Sequence, residues 1–600
     1  MPGTGEAGRF VVTKESEIER LTAAYPPLPG LEYRQTNWGE IWQHKLIKKV
    51  TDSKTGETKE IWLPITSPFA MPAFLRMIDA DEAYGLRVAL EDLNGKSRTI
   101  DFDRGELSRL TASELKSRLM RAGLRVDNNG ETEIIAALKK TKPPDEIVAV
   151  SRTGRHVSPD GTVYLVSCGG RIFGDIRPDQ TIELLNPIRH AEAGGLADWQ
   201  AAVRAASAAE NCPHWALCTA AGFAGALTDI CELESHGMHV SGPSSLGKTT
   251  GLRLAVSPWS SPRPGAGLLK SMLSTSNAIE VLAQQSRGTV LALDEAASID
   301  GETFGQIIYM VAGNTGKSRR KGAENVLQET ATWSVFGLSS GEQPLAQKLR
   351  ENGGRLTAGM TVRWISIDVS DVNPKVDEET FARIAAINRH YGHAGPAFLK
   401  AIAEHGWHKD PDPLRQRIHK TARNLASTGK VAGTGPLVAA DATALRAALA
   451  FAIITVAGEL AKTLQILPAE INVVGAAEWA WERFIDSHEA ETLKPNDKAL
   501  ANIRNWTAEL WDVEIKKTDL PYRSMRGALA WYDDDVLYIP TARISEAAGG
   551  VLSPTALGRL FARKGLLHSQ GTGGRIAVRY VPSVGPVDAY ALKRAEFHHV

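Results

Sequence analysis

Cysteine is scarce in this sequence, and its spacing argues against two classes of protein. The 600 residues contain four cysteines, Cys168, Cys212, Cys218 and Cys231, and no two of them form a C-x-x-C pair. A disulfide-stapled secreted scaffold and a zinc ribbon are therefore not expected. The segment "CPHWALC" holds His214 between two cysteines, so a metal site is an alternative there, although zinc ligands usually come in closer pairs. Reduced thiols of a cytoplasmic protein are the preferred interpretation.

The sequence also lacks net charge and long apolar runs. The 69 basic residues balance the 69 acidic residues, so no global field draws the chain to nucleic acid or membrane, and any such contact requires a local patch. Residues 1–21 contain no long apolar core, so no signal peptide is expected. The most apolar stretch, residues 444–462, has only about a dozen uncharged residues between its charges, which is too short to span a bilayer. We predict a buried helix there and no membrane contact.

The remaining pattern divides the chain into five predicted segments. In the first, "GEIWQHKLIKKV" and "YGLRVALEDL" indicate strands, and "TASELKSRLMRAGL" indicates a helix with Thr111 as N-cap and Glu114 in a capping box. Further along, "GTVYLVSC" and "GRIFGD" indicate two short strands around a Gly-Gly turn. The segments are a mixed α/β region (1–147), strands and helices that lead into a core (148–235), an α/β core (236–372), a helical region (373–490) and a compact C-terminal module (491–600).

The segment "GPSSLGKT" matches the phosphate-loop pattern G-x-x-x-x-G-K-[ST]. The apolar strand "MHVS" precedes it and the helical segment "TTGLRLAV" follows, so backbone N–H groups at a helix N-terminus would face an anion. Lys248 would neutralise the β- and γ-phosphates of ATP, and Thr249 would place its hydroxyl on Mg²⁺. The predicted nucleotide-contacting residues are Gly242, Pro243, Ser244, Ser245, Leu246, Gly247, Lys248, Thr249 and Thr250.

The segment "GTVLALDEAA" supplies the second half of a predicted nucleotide site. Residues 290–293 predict a buried parallel strand that ends in Asp294 and Glu295, which is a Walker B signature. Asp294 would hold Mg²⁺, and Glu295 would orient the attacking water, which favours hydrolysis over binding alone. Acidic residues are also common at a helix N-terminus, but the phosphate-loop pattern upstream makes that alternative less attractive.

Two further strands carry candidate catalytic residues. A third strand over residues 332–342 ends in Ser339 and Ser340, of which Ser340 is the candidate γ-phosphate sensor; an ordinary Ser-Gly turn is the alternative. A fourth strand over residues 363–369 follows several arginines. Ring-forming ATPases often place an arginine from this position in the neighbouring subunit's site, so Arg363 is the first candidate and Arg355 the second. A structural arginine is the alternative.

A dense basic cluster lies between Asp294 and the third strand, in "GNTGKSRRKGAENVLQETATW". Glycines flank the cluster, which suggests a hairpin tip, and a phosphate backbone is the natural partner for such charge. A solvated basic loop is the alternative. The predicted nucleic-acid contacts are Lys317, Arg319, Arg320 and Lys321.

Together these segments resemble the domain-of-unknown-function 927 family. "MHVSGPSSLGKTTGLRLAVSPW", "LALDEAASID", "IIYMVAGNTGKSRRKG", "TWSVFGLSSGEQPLAQKL" and "AGMTVRWISIDV" occur in that order over residues 148–369. The resemblance implies a primase-helicase-like ATPase of a mobile element, akin to superfamily 3 helicases and the AAA+ class. No cysteine ribbon is present, and the D-x-D pairs in "DADE" (79–82) and "DFD" (101–103) more often decorate strand ends than hold metal. A primase would then be a separate polypeptide.

The C-terminal module predicts a winged helix. Ser553 and Pro554 fit the N-cap and first position of a helix that ends near Lys564. "LLHSQ", a "GTGG" turn and "RIAVRYV" then indicate a hairpin. Basic residues on the helix and wing would contact DNA, and a protein-binding module is the alternative. These basic residues are Arg559, Arg563, Lys564, Arg575 and Arg579.

The sequence therefore predicts an α/β protein with an AAA+-like P-loop core, a mixed N-terminal region, a helical region and a winged-helix-like module. Its predicted function is an ATP-hydrolysing, ring-forming DNA helicase or translocase that uses ATP and Mg²⁺, with single-stranded or forked DNA and a hexamer of the same chain as partners. A nucleotide-dependent assembly switch, which binds DNA or protein without unwinding, is the alternative. A small-molecule phosphotransferase is a weaker alternative, because no lid with substrate-binding arginines is evident.

Overall fold

The computed structural model describes residues 14–78, 83–128, 130–273, 276–316, 330–351, 356–432, 442–487, 489–490, 495–521, 527–571 and 575–598. Across these ranges the chain is mixed α/β, as predicted, and it contains a parallel five-stranded sheet surrounded by helices.

The N-terminal region contains a small antiparallel sheet and a larger mixed sheet. Strands β1 to β3 form the first, and the second has the order β11-β7-β4-β5-β6, in which β4, β7 and the later strand β11 (Thr181–Leu184) are parallel. The elements are α1 Lys14–Ala24, β1 Leu31–Gln35, β2 Ile41–Thr51, β3 Thr58–Thr66, β4 Phe69–Met77, β5 Tyr84–Glu91, β6 Ser97–Asp103, α2 Arg104–Arg109, α3 Ala112–Arg121, α4 Glu131–Lys140 and β7 Asp145–Val150. Strand β7 crosses the boundary expected at residue 147.

Local sequence signals in this region are confirmed. Thr111 caps α3, and its side chain and that of Glu114 form the predicted capping box. The "DFD" segment has structural partners: Asp101 pairs with Arg87 at 2.8 Å, and Asp103 caps α2. The "DADE" segment, residues 79–82, lies outside the described residues.

Two antiparallel strands around a Gly-Gly turn, β9 and β10, follow as predicted, and two long helices then lead into the core. Helix α6 is almost entirely buried and packs against the core sheet. The elements are β8 Gly154–Val157, β9 Val163–Val166, β10 Ile172–Gly174, β11 Thr181–Leu184, α5 Leu196–Ala208 and α6 Pro213–Ile230.

The core sheet is parallel, with strand order β13-β14-β15-β12-β16. Each strand is followed by helix or loop, so all carboxyl ends lie at one edge, where open α/β sheets bind ligands. The side chain of Trp364 packs flat against β12 and β15, where a Cβ on Gly237 or Gly337 would collide with the indole ring. The elements are β12 His236–Ser241, α7 Lys248–Val256, β13 Leu269–Ser271, α8 Ser276–Gln285, β14 Val290–Asp294, α9 Gly301–Ala312, β15 Phe336–Gly341, α10 Leu345–Arg350, α11 Ala358–Thr361 and β16 Trp364–Asp368.

The helical region predicted after the core is confirmed, and it shares the largest apolar cluster with the core sheet. Helix α15 alone, among the parts of the chain that the structure describes, is long and apolar enough to cross a membrane by length and composition. It lies against α6, α14 and α16, and 72% of its most apolar window is buried, which fits the predicted buried helix. The elements are α12 Glu378–Ile384, α13 Ala394–Glu404, α14 Asp412–Thr428, α15 Ala442–Thr463 and α16 Val473–Ile485.

The C-terminal module is a five-stranded sheet with order β17-β18-β19-β21-β20, packed on helices. The predicted helix is present, with Ser553 as N-cap and Pro554 in its first turn. The elements are α17 Pro495–Leu510, β17 Ile515–Lys517, β18 Ala530–Tyr532, β19 Val536–Pro540, α18 Ile544–Ala547, α19 Pro554–Arg563, β20 Leu567–Ser569 and β21 Ala589–Lys593.

The predicted second strand of the hairpin, "RIAVRYV", is wrong. Strand β20 pairs instead with β21, and Val578 and Val581 form only isolated bridges. Strand β21 takes the interior position between β19 and β20 because Ala589–Leu592 are buried on both faces, whereas Arg579 and Tyr580 are exposed. Of the predicted basic contacts, Lys564 is paired with Asp497 at 2.9 Å.

Candidate functional site

The segment "GPSSLGKT", here called the GKT loop (Gly242–Thr249), leaves the carboxyl end of β12 and enters α7. Gly242 has φ +147° and Gly247 has φ +73°, both in the region that favours glycine. A Cβ on Gly247 would also lie 2.6 Å from the Trp215 ring. The two motif glycines are therefore required by backbone conformation and by space.

Helix α6 holds the GKT loop from behind. The indole N–H of Trp215 donates to Gly247 O at 2.8 Å, and Nε2 of His214 lies 3.0 Å from Leu246 O. Burial lowers the pKa of His214 to about 4, so the ring is neutral and Nε2–H is the donor to that carbonyl. Sequence reasoning missed both anchors because nothing in "CPHWALC" links it to a loop more than thirty residues away.

The metal alternative for "CPHWALC" receives no support from the geometry. All four cysteines are buried free thiols, and burial raises the pKa of Cys218 to about 12. Within the described ranges, no three His, Cys, Asp or Glu side chains are grouped as a metal site would need. His214 contacts the GKT loop instead.

Lys248 lies at the start of α7 and lines the cavity in front of the loop. Its Nζ donates to Gly242 O at 2.7 Å and to Pro243 O at 2.6 Å. Burial lowers the pKa of Lys248, while Glu342 and Asp294 oppose that shift. The ammonium is thus held close to the loop backbone, in a position to contact anionic groups in the cavity.

Asp294 ends β14 and collects three donors on one carboxylate oxygen. Thr249 Oγ1 lies 3.4 Å from Asp294 Oδ1, the backbone N–H of Glu295 donates to it at 3.1 Å, and the Ser340 hydroxyl also donates to it. Strand β15 makes this possible because it pairs with both β12 and β14. The predicted Walker residues and the predicted sensor serine therefore meet at one point.

The two adjacent serines of β15 face opposite sides of the sheet. Ser339 is fully buried, with its hydroxyl 2.9 Å from His239 Nδ1 and 3.2 Å from the Trp364 indole nitrogen. Burial lowers the pKa of His239 to about 4. Of the two serines, Ser340 is the one that reaches Asp294, and its role as a sensor stays a prediction.

Glu295 adopts a conformation that is uncommon for a residue other than glycine. Its φ is +65° and its ψ is +56°, and it initiates the 3₁₀ turn Ala296–Ser298. Non-glycine residues in this region carry a small conformational cost and concentrate at functional sites. The side chain is exposed and lines the cavity beside Asp294.

The cavity has a volume of about 490 Å³. Its oxygen donors, a threonine hydroxyl and carboxylates, are those that Mg²⁺ prefers, and its lysine and loop suit phosphate. One wall is the Phe381 ring on α12, which is 57% exposed and was not predicted from sequence. The described lining residues are Ser244, Ser245, Gly247, Lys248, Thr249, Thr250, Asp294, Glu295, Ser340, Gly341, Glu342 and Phe381.

Arg363 lies at the amino ends of the core strands, and the cavity lies at their carboxyl ends. Its carbonyl accepts from Gly237 N–H at the beginning of β12, about 13 Å from the end of that strand at 3.3 Å per residue. Its side chain is 3.8 Å from Glu234. Arg363 therefore does not belong to the cavity of its own chain. Arg355 and the predicted nucleic-acid contacts lie outside the described residues: Lys317, Arg319, Arg320 and Lys321.

Comparison with known proteins confirms the family resemblance. Residues 41–330 match the family described as "Domain of unknown function (DUF927)". The match begins well before residue 148, which is where the sequence motifs placed the start of the resemblance. It ends before β15. No curated protein matches the chain.

One solved structure supports the fold. The chain is similar to a structure described as "SCCmec type IV Cch - active helicase", with a TM-score of 0.66 and 17% identity, covering 92% of this chain and 99% of the other. A structure described as "The A form apo structure of NrS-1 C terminal region-CTR(305-718)" aligns with a TM-score of 0.28 and 10% identity, covering 85% of this chain and 94% of the other.

Proposed function

We propose that this chain, whose residues 41–330 match the DUF927 family, is an ATP-hydrolysing motor that moves on DNA. The observation that carries the proposal is the meeting of Thr249, Asp294 and Ser340 at one carboxylate oxygen beside Lys248. Phosphate loops, acidic strand ends and a polar sensor are needed together for phosphoryl transfer to water.

The GKT loop would hold the β- and γ-phosphates. Its backbone N–H groups and the N-terminus of α7 present positive potential to an anion, and Lys248 adds a full charge. Thr249 and Asp294 would hold Mg²⁺, which neutralises charge that develops on the phosphates. Ser340 fixes the Asp294 carboxylate through a direct hydrogen bond, so this carboxylate is oriented before a ligand arrives.

Glu295 is the candidate that orients the attacking water and accepts its proton. It lines the cavity next to Asp294, and its left-handed backbone turns the chain sharply at the end of β14. A carboxylate at this position distinguishes a hydrolase from a protein that only binds nucleotide. Lys248, Thr249, Asp294 and Ser340 then serve binding and charge stabilisation.

Phe381 is the candidate platform for the nucleobase. Its ring is the large apolar surface in an otherwise polar cavity, and 57% of it is exposed. Every base offers a π-face, so an exposed aromatic ring beside a phosphate site suits stacking of adenine.

Movement on DNA and ring formation form the second part of the proposal. They are supported by the basic cluster of the sequence, by the family resemblance, and by likeness in fold to a structure described as an active helicase. The C-terminal α19, β20 and β21 would act as a winged helix, and Arg363 would serve the site of a neighbouring subunit. The expected setting is the cytoplasm, where a separate primase would accompany the chain.

The test is the ATPase rate with and without single-stranded DNA, for the unmodified chain and for Lys248→Ala. We expect DNA to stimulate hydrolysis and Lys248→Ala to abolish it. Unchanged DNA-stimulated ATP turnover in Lys248→Ala would refute the proposal that the chain is an ATP-hydrolysing motor. Strand displacement from a forked duplex distinguishes a helicase from a loader, which would hydrolyse ATP and bind DNA but displace no strand.

A further inference from the structure

A second cavity, of about 680 Å³, lies between the mixed N-terminal sheet and the edge strand β13 of the core. It shares no described lining residue with the cavity in front of the GKT loop. The proposed function leaves it unexplained.

One wall consists of the loops that follow β7 and β11. These strands are parallel neighbours, so both loops leave the same edge of the sheet at carboxyl ends. Open α/β sheets bind ligands at this edge. The loop after β7 carries Arg152, and the loop after β11 carries Arg189 and His190.

The other wall belongs to the core. It consists of the tight turn over Gly265–Lys270 and the last residues of α8. The two walls are joined by hydrogen bonds: Ser261 N–H donates to His190 O at 2.9 Å, and the Thr153 hydroxyl donates to the carbonyl of Arg287 just beyond α8. The cavity is therefore a fixed junction between the two parts of the chain.

The charge in this cavity is of one sign. Arg152, Arg189 and Lys270 line it together with His190, and none of the described lining residues is Asp or Glu. Among the residues that the structure describes, Lys270 Nζ donates to Gly265 O alone, at 3.4 Å, and neither Lys270 nor Arg189 forms an ion pair with a carboxylate. Burial accordingly lowers the pKa of Lys270. Lys270 is partly buried, so an anionic ligand in the cavity would offset the cost of burying its charge.

We propose that the cavity between β11 and β13 binds phosphate groups, carried either by a nucleoside phosphate or by a nucleic-acid backbone. Its volume lies in the range of small-ligand sites. Guanidinium and ammonium groups are the side chains that recognise phosphate oxygens. The proposal does not depend on hydrolysis at the GKT loop.

The experiment uses the full-length chain with Lys248→Ala, which disables the GKT loop. Two probes, a fluorescent ADP and a 5′-labelled oligo(dT), are titrated by anisotropy with and without the added pair Arg189→Ala and Lys270→Ala. We expect at least one probe to bind, and the added pair to weaken its binding about tenfold or more. Loss of the ADP signal identifies a nucleoside phosphate. Loss of the oligonucleotide signal, with a salt slope smaller by roughly 0.7 per lost contact, identifies a strand.

The matched control removes two positive charges elsewhere. Arg383 and Lys400 are exposed and pair with Glu379 and Glu404 within their own helices, so Arg383→Ala with Lys400→Ala should leave both affinities unchanged. Lys270→Gln alone, which keeps a polar side chain, guards against misfolding and should weaken binding in the same direction. Equal affinities with and without Arg189 and Lys270, or an equal loss in the control, would overturn the proposal.

Discussion

Ser340 and Asp294 are joined by a direct hydrogen bond between the ends of neighbouring strands β15 and β14. The acceptor oxygen is the one that Thr249 also approaches from α7. One carboxylate oxygen thereby links the candidate sensor, the candidate metal ligand and the GKT loop. The adjacent serine, Ser339, points to the other side of the sheet.

Alanine substitutions of Ser340 and of its neighbour Ser339 should have different effects on ATP turnover and on stability. Ser340→Ala removes a hydrogen bond that orients Asp294, and we expect ATP turnover to fall about 10- to 100-fold, the range for a partner that supports a metal ligand. Ser339→Ala, which loses contacts to His239 and Trp364, should lower the unfolding temperature and leave turnover of the folded enzyme nearly unchanged. Steady-state ATPase assays and thermal unfolding measure the two effects. An equal loss of turnover in both variants would contradict the assignment.

Glu295→Gln should separate nucleotide binding from hydrolysis. Loss of a positioned general base costs about 10²- to 10⁴-fold in rate, whereas a neutral side chain at this exposed position leaves the GKT loop intact. We expect ATP affinity to be kept or strengthened while turnover is lost, as measured by equilibrium binding and phosphate release. Glu302→Gln, at an exposed position of α9, is the control and should behave as the unmodified chain does. A rate for Glu295→Gln within threefold of normal would eliminate Glu295 as the base.

Phe381→Ala should weaken binding of ATP but not of tripolyphosphate. Stacking of a base on an aromatic side chain contributes about 1–3 kcal/mol, so the dissociation constant for ATP should rise by roughly 5- to 150-fold. Phe381→Trp should restore affinity. Tyr580→Ala, which removes another exposed aromatic ring, serves as the control. If tripolyphosphate binding weakens as much as ATP binding does, Phe381 acts on the phosphates or on the fold and not on the base.

Arg363 provides a test of ring formation. The side chain lies at the end of the strands opposite its own cavity. Arg363→Ala should therefore affect hydrolysis through a neighbouring subunit or through its structural contacts with Glu234 and with the carbonyl of Gly359. Mixing Arg363→Ala with Lys248→Ala should restore part of the activity, since some interfaces then combine an intact loop with an intact arginine. Glu234→Gln controls for the ion pair and should remain active alone. No recovery on mixing, in a chain shown by mass to assemble, would contradict a role for Arg363 across the interface.

Buried histidines predict loss of stability in mild acid. Burial holds the pKa of His156 at about 3 and the pKa values of His214 and His239 at about 4, below the ordinary value of 6.5. The unfolded chain therefore binds more protons as the pH falls from 6.5 toward 4, and stability decreases over that window by up to about 1.4 kcal/mol per pH unit for each histidine. Denaturant unfolding at pH 6.5, 5.5 and 4.5 measures it. His239→Gln should reduce the slope by one histidine's share, and an identical slope would contradict the assignment.

The sequence alone predicts the structure correctly where one local motif determines one element. The G-x-x-x-x-G-K-T pattern, the apolar run that ends in Asp294 and the Thr111–Glu114 capping box each specify their geometry within a few residues. The same holds for α15, whose composition predicts burial. Strand order is not local, so the position of β15 between β12 and β14, which brings Ser340 to Asp294, was plausible from sequence but not derivable from it.

Side chains that act across long separations were missed for the same reason. Trp215 and His214 support the GKT loop from a helix that precedes it in the chain. Phe381 lines the cavity from α12, where the local sequence indicates only a helix. The C-terminal error has a related cause. The alternating "RIAVRYV" segment satisfies the local strand pattern, but β21 is buried on both faces and occupies the position beside β20 in the sheet.

The strand order of the core sheet also determines which pieces of this chain could be produced separately. Strand β12 pairs only with β15 and β16 among the described strands, and both follow residue 330, where the family match ends. A fragment cut at the family boundaries would leave β12 with two open edges, a known route to aggregation. The smallest expressible unit that keeps the GKT loop in a sheet must therefore extend at least through Asp368, and during synthesis β12 gains both of its sheet neighbours only after that residue has emerged.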